Sequence, residues 1–392
     1  MKSGITHRLG DIADVQQGYT FKPGYQGQSS GEWIYVKVAD IGSPASSKYL
    51  RKSQNYVSSE VLREMRATPF PAGSIVFPRV GAALRNNNKR ILAENSLTDD
   101  NVIVVTVRDT QICDPEYLYY WFDFHDLQDF CNAGTVPVIN GRNLKIQEVM
   151  LPSIAIQRVT ASALSTWDAA LEKIQRLIDA KERRHRGLLI RLLGKRLWSD
   201  CRHERADALF ASVSERNQPE LPVLAVTQDQ GVVPRTMLDR RITMELSDPA
   251  NFKVVRKDDF VISLRSFQGG LEHSEYDGLV SPAYTVLRGQ PALYPPFYRH
   301  YLKSPDFLKR LAVAVVGIRD GKQIAFTDFA SIKLPLPAFD LQTKIAAVLD
   351  ESEDEIALMK QQAGKLRTQK RGLMQKLLTG KWRVPVPEEA VV

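Results

Sequence analysis

Two stretches of the chain place apolar residues at alternating steps of three and four. In the later stretch these are Ile345, Leu349, Ile356, Met359, Ala363, Leu366, Leu373 and Leu377, with Ser352 and Lys370 at the remaining positions of the same rhythm. In the earlier stretch they are Leu164, Trp167, Leu171, Ile174, Ile178, Leu188 and Leu192, with Lys181 and His185 completing it. That spacing draws one apolar stripe along a helix and asks for a second helix to cover it. Each stripe predicts a helix of about 40 residues, or about 60 Å at 1.5 Å per residue.

The two stripes are copies. Residues 151–196 align with 336–382 at a constant offset of 185: Pro152 with Pro337, Gln157 with Gln342, Leu164 with Leu349, Gly187-Leu188 with Gly372-Leu373, and Leu192-Leu193 with Leu377-Leu378. After one inserted residue, Gly194-Lys195 aligns with Gly380-Lys381. Even the polar break in the seam is repeated, as His185 and Lys370. The second helix opens on Asp350, Glu351, Glu353, Asp354 and Glu355, and the first closes on Lys181, Arg183, Arg184, Arg186, Arg191, Lys195 and Arg196. An antiparallel pair would set these charges opposite each other; acids at a helix start and bases at its end also suit the helix dipole. Gly187 and Gly372 each cost about 1 kcal/mol in mid-helix relative to Ala. Their equivalence predicts either a close approach of the helices or a tolerated irregularity.

The segments before each helix read as strand-rich. WIYVKVADI (33–41), GSIVFPRV (73–80) and NVIVVTV (101–107) in the first, and LPVLAVT (221–227), DFVISLR (259–265) and AYTVLR (283–288) in the second, are β-branched runs bounded by turn residues. Each segment then has an aromatic helical stretch, PEYLYYWFDF (115–124) or PPFYRHYLKS (295–304), followed by a Gly-containing loop, 134–144 or 317–326. The shared order predicts one mixed α/β (α+β) domain duplicated. The expected organisation is a first domain at 1–153, a long helix at 154–198, a second domain at 199–338, a second long antiparallel helix at 339–380 and a tail at 381–392.

Composition narrows the function. The net charge of +8 suggests nucleic acid, but lysine and arginine outnumber the acids 10 to 4 in residues 154–198 and balance them almost evenly elsewhere. A DNA-facing surface on either domain must then be a local cluster. No run of eighteen apolar residues is present, and the first residues have no signal-peptide core. Cys113, Cys131 and Cys201 are scattered, so neither a disulfide framework nor a zinc site is expected, and a reducing cytoplasm fits.

DNA contacts would have to come from loops. Residues 79–90 offer Arg79, Arg85, Asn86, Asn87, Asn88, Lys89 and Arg90, with Asn140 and Arg142 in the later loop. The second domain offers Arg265, Ser266 and Gln268, with Arg319, Lys322 and Gln323 in its later loop. Arginine pairs with guanine edges and asparagine or glutamine with adenine edges, and all reach phosphates. Solvated polar loops would look the same. Tyr19, Phe21 and Tyr276 read as packing groups. Catalytic signatures do not emerge: Tyr294-Pro295-Pro296-Phe297 has tyrosine where an amino-methyltransferase needs Asn or Asp, no GxGxxG loop follows a strand, and no GxSxG or HExxH occurs.

With RLGDIADVQQGYTFK (8–22), DFVISLRSFQGGLEHSEYDGLVSPAYTVLR (259–288) and the helix ends RGLLIRLLGKRL (186–197) and RGLMQKLLTGKWRV (371–384), the chain resembles the specificity subunit of type I restriction-modification systems over nearly its whole length. The resemblance implies two target-recognition domains, each reading half of a split double-stranded DNA site, and helices that act as ruler and as docking surface for two methyltransferase subunits. Leu171, Ile174, Ile178, Leu188, Leu192, Ile356, Met359, Leu366, Leu373 and Leu377 are the docking candidates. It implies S-adenosylmethionine in the methyltransferase partners, ATP and magnesium in restriction/translocase partners, no catalytic or metal site in this chain, and a prokaryotic cytoplasm. The alternatives are the recognition subunit of another DNA-modification or defence system, and a methyltransferase acting alone.

Overall fold

The computed structural model describes residues 4–385 except 44–47, 133, 135, 195–197, 199–200, 239–248, 265 and 315–323. Two helices of 40 residues, the central helix Ile154–Leu193 and the distal helix Phe339–Leu378, stand where the apolar stripes put them. Two compact units share them: residues 1–176 with 361–392, and residues 177–360. The division runs through both helices rather than at their ends, so each unit keeps a half of each.

Among the described residues of the first unit, ten short strands precede the central helix: β1 (Ile5–Arg8), β2 (Ala13–Gln17), β3 (Trp33–Val36), β4 (Tyr49–Leu50), β5 (Tyr56–Val57), β6 (Ile75–Pro78), β7 (Arg90–Leu92), β8 (Ser96–Thr98), β9 (Val102–Val107) and β10 (Glu148–Leu151). The main sheet has the order β2-β9-β6-β7-β4, a smaller one β5-β3-β8, and β1 pairs with β10. The aromatic stretch forms the helix Pro115–Phe124, with proline in its first turn and the Asp114 side chain accepting from the Tyr117 N–H. Tyr117 through Phe122 are all buried. A helix that is apolar on every side must be covered on every side. Here the cluster around it includes Ile75, Phe77 and Val105 of the sheet, Ala161 and Leu164 of the central helix, and Met374, Leu377 and Leu378 of the distal helix.

The second unit has β11 (His203–Arg205), β12 (Phe210–Val213), β13 (Leu224–Thr227), β14 (Gly231–Pro234), β15 (Lys253–Val255), β16 (Phe260–Ile262), β17 (Glu272–His273), β18 (Gly278–Val280), β19 (Thr285–Gly289) and β20 (Lys333–Pro335). Its main sheet runs β12-β19-β16-β17 and β11 pairs with β20, the counterparts of β2-β9-β6-β7 and of β1 with β10. The aromatic helix Pro295–Tyr301 starts at the Pro-Pro pair. It packs in a cluster with Trp198, Phe210, Phe260 and Leu287, and with Ile345, Ala346 and Leu349 of the distal helix.

Within each unit the helix halves run antiparallel. In the second, Lys181 pairs with Glu355 at 2.5 Å and Glu182 with Lys360 at 2.7 Å, and His185 Nε2 lies 3.6 Å from Glu353. In the first, Asp168 pairs with Lys370 at 2.6 Å, and Arg367 donates to Gln175 at 3.2 Å. The expected stripe is the inward one: Leu164, Ile178, Ile345, Leu349, Ile356, Ala363 and Leu377 are buried, and the other seam positions are half-buried.

Three local expectations need correction. WIYVKVADI is a strand only to Val36, after which Val38–Gly42 turn into a short helix whose Asp40 carboxylate accepts from the Lys37 N–H. DFVISLR is a strand only to Ile262. Gly187 and Gly372 mark neither a close approach nor a break, because a Cβ at either would meet nothing within 4 Å and both helices run on through them.

Candidate nucleic-acid interface

In the first unit the two candidate loops lie side by side. Gly81 N–H donates to Pro137 O at 3.0 Å, Ile139 N–H donates to Arg79 O at 2.9 Å, and Val80 bridges Val138. The 79–90 loop leaves β6 through Gly81 at φ +80°, makes a 3₁₀ turn at Ala82–Asn86 with Leu84 fully buried beneath it, and turns back at Asn87, φ +54°. Leu84 anchors the turn, and the glycine and asparagine supply the left-handed conformations that let it close. Arg85 and Asn86 are exposed at the tip, Asn88 is half-exposed, and Asn140 and Arg142 are exposed on the neighbouring loop. Asn140 also caps the short helix Gly141–Lys145 by accepting from the Arg142 N–H. Arg79 is half-buried and donates to Asp100 O at 3.1 Å.

Three residues of this group do other work. Lys89 is 2% exposed. Its ammonium donates to Asn87 Oδ1 at 2.7 Å and to His125 O at 2.8 Å. Burial pushes it down to about 8, against the opposing pull of Asp123, Asp126 and Asp129. Asn87 spends its amide inside as well, accepting from the Leu127 N–H at 2.8 Å. Arg90 turns back to donate to Lys89 O. As direct DNA contacts, Lys89 and Asn87 are corrected, because Lys89 is buried and the half-buried Asn87 has its Oδ1 taken by two internal donors. Nothing in the sequence separated Lys89 from Arg85, since only the fold decides which way each side chain leaves the turn.

In the second unit Ser266 is corrected for the same reason: it is 1% exposed, and its hydroxyl accepts from the Ser263 N–H. Gln268 lies in the short helix Ser266–Gly269, which ends at Gly270, φ +87°. A Cβ on Gly270 would run into Leu302 O, so this loop is pressed on the end of the aromatic helix. Arg265, Arg319, Lys322 and Gln323 lie outside the described residues.

The docking candidates are corrected too. Ile178, Ile356 and Leu377 are buried, and Leu188, Leu192 and Leu373 pack onto the unit cores. Leu171, Ile174, Met359 and Leu366 are half-buried on the same inward stripe. A seam consumed by the chain's own packing cannot also be an outward surface. Leu177, Ile190, Phe339, Leu341, Val348 and Leu358 are the large apolar side chains the helices leave exposed among the described residues.

Lys370, Asp350 and Glu353 stood out in the sequence as seam and pairing residues, but their partners at the aromatic helices did not. In the first unit Lys370 reaches Asp168 at 2.6 Å and Asp123 at 3.1 Å, and Tyr120 donates to Asp168. Burial alone would lower the Lys370 ammonium, but the two carboxylates outweigh it and hold it above the usual lysine value. In the second unit Arg299 bridges Asp350 at 2.5 Å and Glu353 at 2.9 Å, and His300 lies 2.7 Å from Asp350. His300, Asp350 and Glu353 are close enough together to hold a metal ion, but the Arg299 guanidinium already sits on both carboxylates. Among the described residues no helix is long and apolar enough to cross a membrane.

Comparison with known proteins agrees with this architecture. Residues 5–182 match the family described as type I restriction modification DNA specificity domain. A curated protein of Methanocaldococcus jannaschii, named as a type I restriction enzyme MjaX specificity subunit, is 22% identical over 272 residues, which span 63% of this chain and 62% of that protein. Among solved structures, the type I restriction-modification S subunit from M. genitalium superposes with a TM-score of 0.58 at 16% identity, covering 95% of both chains. A chain from a structure on complex assembly and conformational transition of the type I restriction-modification system gives 0.55 at 16% identity, covering 97% of this chain and 99% of that one. These two likenesses concern the fold; the match to the type I restriction modification DNA specificity domain covers residues 5–182, and the second unit repeats the strand order of the first.

Proposed function

We propose that this chain is the sequence-reading subunit of a type I restriction-modification complex, with each unit reading one half of a bipartite DNA site. The observation that carries the reading is the duplication: one sheet order, one aromatic helix and one strand pair leading into a long helix are built twice in one chain. Two copies of one reader suit a target with two half-sites. On this reading Arg85, Asn86, Asn88, Asn140 and Arg142 face the first half-site, and the loop containing Gln268, with Arg265, Arg319, Lys322 and Gln323, faces the second. The paired helices set the number of base pairs between the half-sites, and their outward faces dock two methyltransferase subunits. Chemistry belongs to the partners: S-adenosylmethionine in the methyltransferase subunits, ATP and magnesium in the restriction/translocase subunits. The setting is the prokaryotic cytoplasm.

The test is methylation mapping of a host genome with the complex carrying either the parent chain or a variant with four residues inserted after Ile178 and after Ala363. Four residues add about 6 Å and nearly keep the helical phase, and DNA rises about 3.4 Å per base pair. The gap should lengthen by about one or two base pairs with both half-sites unchanged. An active variant that keeps the parent gap rules out the helices as ruler. Methyl transfer by the pure chain alone rules out the non-catalytic reading.

A further inference from the structure

We propose that Lys89 is a positioning residue for DNA reading: its buried ammonium clasps the corner of the 79–90 loop to the end of the aromatic helix and so fixes the edge formed by Arg85, Asn86 and Asn88. The inference rests on the reading that this loop faces DNA, and it adds what holds the loop in shape.

The clasp joins two segments distant in sequence. Lys89 Nζ donates to Asn87 Oδ1 on the loop and to the carbonyl of His125, the residue that ends the helix Pro115–Phe124. Asn87 Oδ1 accepts in addition from the Leu127 N–H, just beyond that helix. Asn87 has a left-handed backbone, φ +54°. Its conformation sets the directions in which Asn86 and Asn88 leave the chain. A cation against the carbonyl end of a helix is favourably placed. Even so, it carries a full charge into the interior with a carbonyl and an amide oxygen as its direct partners. Closure of the loop does not require that cost, because Leu84 already fills the space beneath the turn. What the ammonium adds is direction: it permits one corner geometry and so one arrangement of the tip.

The cost makes this role separable from a merely structural one. Lys89→Met relieves the burial of a charge, and each acceptor it abandons keeps another donor: Asn87 Oδ1 the Leu127 N–H, and His125 O the Asn87 amide at 3.5 Å. Lys89→Met in the full chain should therefore melt at the parent temperature or above while reading DNA worse. The probes are a duplex carrying the bipartite site found by methylation mapping and two duplexes with one half-site scrambled. Binding is read by fluorescence anisotropy on the complex reconstituted with its methyltransferase partners. The double variant Arg85→Ala/Asn86→Ala identifies the first unit's half-site as the one whose scrambling it no longer senses. Lys89→Met should lose discrimination at that same half-site by about tenfold and keep it at the other. Full discrimination by Lys89→Met overturns the clasp. So does a lowered melting temperature, which makes Lys89 a fold-holding residue. If instead the double variant discriminates as the parent does, the loop is not a reader, and the failure belongs to the functional assignment of the loop.

Discussion

Gln157 and Gln342 make the same three hydrogen bonds, one in each unit. Gln157 Nε2 donates to Ile112 O and Pro152 O, and its Oε1 accepts from the Asp114 N–H. Gln342 Nε2 donates to Ala292 O and Pro337 O, and its Oε1 accepts from the Tyr294 N–H. Both side chains are fully buried in the first turn of a long helix. Each ties that turn to the residue that begins the aromatic helix, so the duplicated sequence has kept one joint twice.

Gln157→Leu or Gln342→Leu should each cost about 2–4 kcal/mol. The change strands one N–H and two carbonyls away from water, and an unsatisfied buried group costs about 1–3 kcal/mol. Urea unfolding followed by hydrogen exchange should localise the loss to the unit that carries the substitution. A loss below about 1 kcal/mol would mean that water replaces the amide, and the joint would not be a structural requirement.

The seam's polar break takes different forms in the two units. Lys370 is 11% exposed between Asp123 and Asp168, whereas the equivalent His185 lies 3.6 Å from Glu353. Lys370→Met leaves two carboxylates facing an apolar stem, and breaking such a pair should cost about 3–5 kcal/mol. Burial pushes the His185 imidazole down, Glu353 opposes this, and His300 and Arg299 reinforce it. Its folded value is thus below its unfolded one. The stability His185 contributes is fully present above about pH 6.5 and is lost as the pH falls below that. His185→Gln should flatten the decline between about pH 6.5 and 5; equal slopes for parent and variant would remove His185 from the acid response.

Two glycines should respond with opposite signs. A Cβ on Gly18 would run into Thr98 O and Asp99 O, backbone atoms that cannot move aside cheaply. Gly18→Ala should destabilise the first unit by about 3 kcal/mol, at the upper end of overpacking costs. A Cβ on Gly187 meets open space in a continuous helix. Gly187→Ala should stabilise by about 1 kcal/mol, the helix propensity difference. Thermal melts of the two variants give the signs directly, and a destabilising Gly187→Ala would reveal a contact on that face.

What the chain's own pattern determined was everything periodic. The spacing of Leu164, Ile178, Ile356 and Leu377 specifies two long helices and their inward face, because a stripe of that period can be buried in one way only. The offset that pairs Gln157 with Gln342 specifies the duplication, since equivalent joints need equivalent residues. The aromatic helices were legible from Pro115 and Pro295, which suit a first helical turn. The candidate site was legible only as two loops. That 79–90 lies against 134–144 depends on the Val80–Val138 bridge, a pairing across some sixty residues that no local pattern records. That Arg85 faces water while Lys89 is buried depends on the left-handed turn at Asn87 and on a carbonyl supplied by His125. Periodicity is written locally and survives in the sequence; the direction of a side chain in an aperiodic loop is set by whatever the rest of the fold brings to meet it.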